Sequence, residues 1–156
     1  MMETGNISEA EKYFKKGLEI DNKHLHILNN LGNLKKSLYK SDEAVEIFKK
    51  ILSIQTNAIT VIYNLALLYS QMGKYEESIE LLKKILIMNS ELTMADRMIS
   101  QTTKYDANHP HFLEMKKKLS DMKLDDNSLL HLHYALGKAY DDQKKFKESF
   151  ENYKKA

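Results

Sequence analysis

The sequence predicts an all-α fold, a solenoid built from antiparallel helix pairs. Three observations predict it. Glycine and proline are scarce, five and one in 156 residues. Apolar residues recur at helical spacing along most of the chain, and no stretch alternates convincingly as a strand does. A set of small and large residues also returns with a shift of 34 positions, which marks stacked repeats of one supersecondary unit.

The shift is read from residue to residue. Leu31-Gly32, Ala44 and Phe48 reappear as Leu65-Ala66, Ser78 and Leu82, and the second half of the set stands upstream as Ala10 and Phe14. From Leu65 to Leu136 the shift is 71, or 34 plus 37, and it leads to Leu136-Gly137, Ser149 and Tyr153. Each position has a packing reason. A small residue in the first helix (Gly32, Ala66, Gly137) lets the partner helix approach. A small residue in the second helix (Ala10, Ala44, Ser78, Ser149) does the same from the other side. The large residue four positions on (Phe14, Phe48, Leu82, Tyr153) lies one turn along the same face and fills the gap.

In chain order, residues 1–24 hold the second helix of a first repeat. Residues 25–58 and 59–92 are full repeats, 93–129 form a degenerate helix pair and 130–156 begin a last repeat, all within a single domain. Turns between paired helices are expected at Gly5, Tyr39, Gly73 and Lys144. Ile7, Tyr75 and Phe146, two residues further on, are candidates to plug them. In the degenerate pair a helix is expected over 93–104. The run Asp106-Ala107-Asn108-His109-Pro110 breaks it, and a partner helix over 111–122 follows, with proline favoured near its start. Asp125, Asp126 and Asn127 offer N-caps to the next helix. Both ends fall inside a repeat, so the chain is read as a fragment of something longer.

This pattern resembles the tetratricopeptide repeat family, whose unit is a 34-residue helix–turn–helix. The sequence departs from it at Lys35, where a tyrosine is usual, at Asn22, Thr56 and Ser90, where the unit often ends in proline, and at Ile51 and Ile85, which replace a common small residue. The resemblance implies a right-handed superhelical solenoid whose first helices line a concave face. It also implies a non-catalytic scaffold whose partner is a protein or peptide, or a domain of the same polypeptide.

The bulk numbers narrow the function classes. There is no cysteine, which removes disulfides, thiol catalysis and cysteine zinc sites together. No apolar run is long enough to span a membrane, and the first residues lack a signal-peptide layout, so a cytoplasmic protein is expected. The 24 basic and 22 acidic residues are interleaved, without the one-sided basic bias of a nucleic-acid binder.

The residues that could carry chemistry are histidines and paired carboxylates. The histidines fall in three His-x-His pairs: His24/His26, His109/His111 and His131/His133. On a helix, residues two apart point roughly 200° from each other and cannot share a metal. Only His109/His111, flanking Pro110, escapes that argument, and no third ligand is apparent. The six are therefore read as solvated or partly packed. Carboxylate pairs such as Glu76-Glu77, Asp125-Asp126 and Asp141-Asp142 sit at helix ends, where nothing would raise a pKa. No phosphate loop or nucleophile elbow is present. Neither a catalytic residue, nor a metal, nor a cofactor is expected.

The family's peptide ligands usually lie along the first helices. Residues there that the packing stripe does not use are Asn29, Asn33 and Lys36, then Tyr63, Asn64, Leu67 and Gln71, then Arg97. Asparagine can donate to and accept from a peptide backbone at once, and Tyr63 adds area at low entropic cost. Asn33 and Asn64 match the asparagines of the family's carboxylate clamp, but Asn29, Met94 and Met98 stand where its basic residues belong. The run from Leu132 to Asp142, with Phe146, Ser149-Phe150 and Tyr153 to Ala156, resembles bacterial proteins that join such repeats to a sulfotransferase domain. That resemblance implies an alternative role as the non-catalytic arm of an enzyme domain beyond Ala156.

Overall fold

The computed structural model describes residues 4–156, with side chains from Ile7 onward. The described residues form nine α-helices: α1 (Thr4–Ile20), α2 (Leu25–Ser37), α3 (Ser41–Ile54), α4 (Ile59–Gln71), α5 (Tyr75–Met88), α6 (Met94–Thr102), α7 (Pro110–Asp121), α8 (Asp126–Asp142) and α9 (Phe146–Lys155). They group into two compact units, Met1–Leu81 and Leu82–Ala156, with the division inside α5.

In the first unit Leu28, Ala44, Val45, Phe48, Ile51, Val61, Leu65 and Leu68 form the core. The glycine of α2 is needed there. A Cβ on Gly32 would stand 2.7 Å from Cε1 of Phe48, which is fully buried. Ser78, in the small position of α5, is buried because its hydroxyl donates to the Ala66 carbonyl at 2.7 Å. Lys35 occupies the place of the usual tyrosine and is only 4% exposed. Its ammonium lies 2.9 Å from Glu11 of α1 and 2.5 Å from Glu43 of α3. Burial opposes the charge on Lys35, but hydrogen bonds to the two carboxylates outweigh it and hold the pKa above the ordinary lysine value.

The second unit centres on Tyr105, Phe112, Met115, Leu132, Ala135, Leu136 and Ala139. Gly137 repeats the role of Gly32: a Cβ there would meet the Tyr153 ring at 2.9 Å. Asp125 caps α8, its carboxylate accepting from the Ser128 amide at 2.7 Å. Thr93 is buried and ties the start of α6 to α8 by donating to the Ser128 carbonyl at 2.7 Å.

Three turns share one backbone solution. Tyr39, Gly73 and Lys144 all have positive φ, at 57°, 75° and 60°. In each the next amide reaches back five residues: Lys40 to Lys35, Lys74 to Tyr69, and Lys145 to Tyr140. This is a Schellman closure. It explains two departures from expectation. Tyr75 and Phe146 do not plug their turns and remain 51% and 66% exposed, because the hydrogen-bonded backbone already closes the reversal. Gly5, expected at a turn, is helical instead and lies within α1. The helices of the degenerate pair also differ slightly from the expected bounds. α6 stops at Thr102, and Pro110 itself opens α7.

Candidate functional site

On α2 and α4 the inward face is taken by Leu28, Leu31 and Lys35, and by Val61, Ile62, Leu65, Ala66 and Leu68. The positions between them carry Asn29, Asn33 and Lys36 on α2, and Tyr63, Asn64, Leu67 and Gln71 on α4. All are half-buried except Gln71, which is exposed. The two sets meet at one hydrogen bond: the Lys36 ammonium donates to Oδ1 of Asn64 at 3.0 Å. This bond takes one of the two lone pairs of the Asn64 amide oxygen. Oδ1 of Asn29 is shielded from solvent and accepts no hydrogen bond from the described residues. An amide carbonyl left this way is costly, which marks α2 as a face not satisfied by its own fold.

Arg97 belongs to the second unit and has surroundings of its own. Its guanidinium carbon lies 4.0 Å from the centre of the Tyr134 ring, and Nη1 lies 3.3 Å from Nδ1 of His131. Burial first, and the Arg97 charge second, push the His131 imidazole below its usual range. Arginine can only donate, so Nδ1 of His131 is the acceptor of this contact. His133 Nδ1 lies 2.9 Å from Oδ1 of Asn152.

A third constellation was not visible in the sequence. Asp96 is wholly buried. Its Oδ1 lies 2.9 Å from Nε2 of His111, and Lys118 donates to both oxygens at 2.8 and 2.7 Å. Nδ1 of His111 is 2.7 Å from the Tyr105 hydroxyl. The consistent assignment has His111 Nε2–H donating to Asp96 and Tyr105 O–H donating to Nδ1. A tyrosine–histidine–aspartate chain has the form of a proton relay. Here Tyr105 is 3% exposed, and burial pushes its hydroxyl pKa far up, which keeps the phenol protonated. The expectation of solvated or partly packed histidines is corrected at His111, His131 and His133, which are buried, each with a ring nitrogen against a polar side chain. The missed signal was Asp96 itself, a carboxylate between Ala95 and Ile99 on the inward stripe of α6.

Among the described residues, no group of three or more histidine or acidic side chains is placed to hold a metal ion. No helix among them is long and apolar enough to cross a membrane.

Two tetratricopeptide repeat family models match the chain, one over residues 24–91 and the other over 2–24 and 130–156. The chain belongs to the tetratricopeptide repeat family. Residues 92–129, which contain α6 and α7, lie outside both matches. Among solved structures this repeat chain is similar to MamA, with 21% identity and a TM-score of 0.73 over 97% of this chain and 86% of that one. It is also similar to YrrB, a tetratricopeptide repeat protein with an unusual peptide-binding site, at 17% identity and a TM-score of 0.68, covering 97% and 76%. A tetratricopeptide repeat protein from Parabacteroides merdae ATCC 43184 aligns at 18% identity and a TM-score of 0.70, covering 95% and 58%. At these identities the likeness is one of fold. No curated protein sequence matches the chain.

Proposed function

We propose that the chain is a non-catalytic scaffold that holds a peptide or a protein domain against its first helices, on the face formed by α2 and α4. Membership of the tetratricopeptide repeat family supports a protein partner in general terms. The observation that carries the specific reading is the Lys36–Asn64 hydrogen bond. It joins consecutive first helices through polar side chains beside half-buried Tyr63 and Leu67, with the unsatisfied Asn29 carbonyl on the same helix as Lys36. Polar groups of fixed position beside apolar area are what recognition of an extended backbone needs.

The test uses peptides selected from a random display library on the full chain. Tyr63→Ala with Asn64→Ala weakens the selected peptide by about tenfold or more, as loss of an aromatic anchor does, with an unchanged helical circular dichroism spectrum. Equal affinity with an equal spectrum rejects this face. The alternative role, an arm carrying a sulfotransferase domain, rests on the resemblance of the 132–156 run and of the preceding Met98-Ile99-Ser100, Tyr105 and His109-Pro110-His111 stretch. A phosphate-binding loop encoded shortly after Ala156 supports it, and further 34-residue units reject it.

A further inference from the structure

A cavity of about 640 Å³ lies within the second unit, between the C-terminal half of α5 and the length of α7. It shares no residue with the α2–α4 face. Leu86, Ile87, Pro110 and Met122 make its apolar wall, and Ile87 is 86% exposed. The Ser90 hydroxyl, just past α5, donates to the Met122 sulfur at 3.9 Å and links the two helix ends there. The volume is in the range, about 300–1,000 Å³, in which proteins take up ligands.

The rim of this cavity carries charge in a fixed order. Glu114, Lys117 and Asp121 stand along α7 at spacings of three and four residues, all exposed. Such spacings keep them on one side of the helix. Lys118, also on the wall, is committed to Asp96, and Lys83 stands on α5. The outer face of α9 has the complementary order. Lys147, Glu151 and Lys154 are exposed there at spacings of four and three. Laid antiparallel, the two helices oppose Glu114 with Lys154, Lys117 with Glu151, and Asp121 with Lys147. In the parallel direction three-four meets four-three, and the middle pair falls out of step. Among the described residues none of these six is in an ion pair. Beside the α9 charges run Phe146, Phe150 and Tyr153, an i, i+4, i+7 stripe. Tyr153 is shared with α8, where it meets Gly137 and Tyr134. Phe146 and Phe150 are exposed.

We infer that α9 of a second copy of this chain docks antiparallel against α7, with Phe146 and Phe150 in the cavity and the three charge pairs along its rim. Both halves of the contact stand on one chain, which decides for a second copy over a foreign helix. An amphipathic helix in an apolar groove is held by anchors one turn apart. Apolar burial supplies the affinity, and the order of charges sets direction and register. Two phenylalanines bury roughly 300–500 Å² when fully covered. The contact is therefore small, and its dissociation constant is expected between about 1 µM and 1 mM.

Sedimentation equilibrium of the full chain tests this. The expected result is an average mass that rises above that of one chain with concentration. Phe150→Asp raises the dissociation constant about tenfold or more, as loss of an anchor does. Asp121→Lys and Lys147→Asp each raise it about three- to tenfold, and both together return it to within about twofold of the natural value. Asp121→Lys with Lys154→Asp gives no such rescue, because the antiparallel register keeps those two residues apart. All these side chains are exposed, and circular dichroism checks that each variant keeps the fold. A single-chain mass at every concentration overturns the inference. So does association that Phe150→Asp leaves unchanged, a double charge swap no tighter than the single ones, or rescue by Lys154→Asp in place of Lys147→Asp. The contact uses neither α2 nor α4, so its failure leaves the scaffold reading standing, and Phe150→Asp leaves binding of the selected peptide unchanged.

Discussion

The ammonium of Lys35 lies 2.9 Å from a carboxylate oxygen of Glu11, on a helix 24 residues upstream. A lysine at a position where the family favours tyrosine is thereby made compatible with burial. Glu11 is held at about 2, against an ordinary 4.5, by hydrogen bonds from Lys15 and then Lys35. Its folded pKa is depressed, so the stabilisation is fully present above about 4.5 and is lost as the pH falls toward 2. Thermal midpoints measured from pH 7 to pH 2 therefore fall more steeply for the natural chain than for Glu11→Gln in that window. Parallel curves contradict the assignment.

The same pair makes a stability prediction at neutral pH. Lys35→Met leaves Glu11 paired with Lys15 alone, 2.7 Å away on the same helix, and costs about 1–3 kcal/mol. Lys35→Met combined with Glu11→Gln costs less than the sum of the two single substitutions, since both remove the same contact. Urea unfolding of the three variants measures the difference.

Gly32 and Gly137 look equivalent in sequence and are not equivalent in the fold. Glycine to alanine inside a helix gains about 1 kcal/mol in propensity. At Gly32 the new methyl meets fully buried Phe48, whose displacement costs about 1–3 kcal/mol. At Gly137 it meets Tyr153, which is 40% exposed and can swing outward. Gly32→Ala is therefore neutral to destabilising in urea, and Gly137→Ala neutral to stabilising. A larger cost at Gly137 contradicts this packing account.

Tyr39 and Lys144 hold left-handed backbone without being glycine. That conformation costs an L-residue about 1–2 kcal/mol. Both side chains are exposed and little packing is at stake. Tyr39→Gly and Lys144→Gly each stabilise the fold by about 0.5–1 kcal/mol, net of the glycine's greater freedom in the unfolded chain, and so raise the unfolding midpoint. A lowered midpoint at both sites rejects the strain.

Asp96 compensates both Lys118 and the oriented His111. Asp96→Ala leaves the Lys118 ammonium, with 11% of its side chain exposed, without its counter-charge. The cost is about 3–5 kcal/mol, measured by urea unfolding. A loss below about 1 kcal/mol contradicts the network.

The repeat was legible because its determinants are local. Gly32, Ala44 and Phe48 sit at fixed offsets that return in Ala66, Ser78 and Leu82, and the fold buries all six. Asp125 as a cap and the reversals at Tyr39, Gly73 and Lys144 were legible for the same reason. The ionic core was not. Lys35 meets Glu11 across 24 residues and Asp96 meets Lys118 across 22, and only tertiary packing decides which lysine among many is buried. The candidate site was legible as a helical stripe. That Lys36 would spend its ammonium on Asn64, and that Arg97 would lie over Tyr134, depends on how neighbouring helices approach each other.

The central claim is that a polypeptide is held against the faces of α2 and α4. The most direct measurement places a photo-crosslinking benzoylphenylalanine at Leu67 in one chain and at exposed Lys50, on α3, in another. Each is irradiated with the selected peptide, and the adducts are counted by mass spectrometry. The account predicts crosslinking from position 67 that an excess of unlabelled peptide suppresses, and background from position 50. Equal yields from the two positions, or a yield from position 50 alone, contradict it.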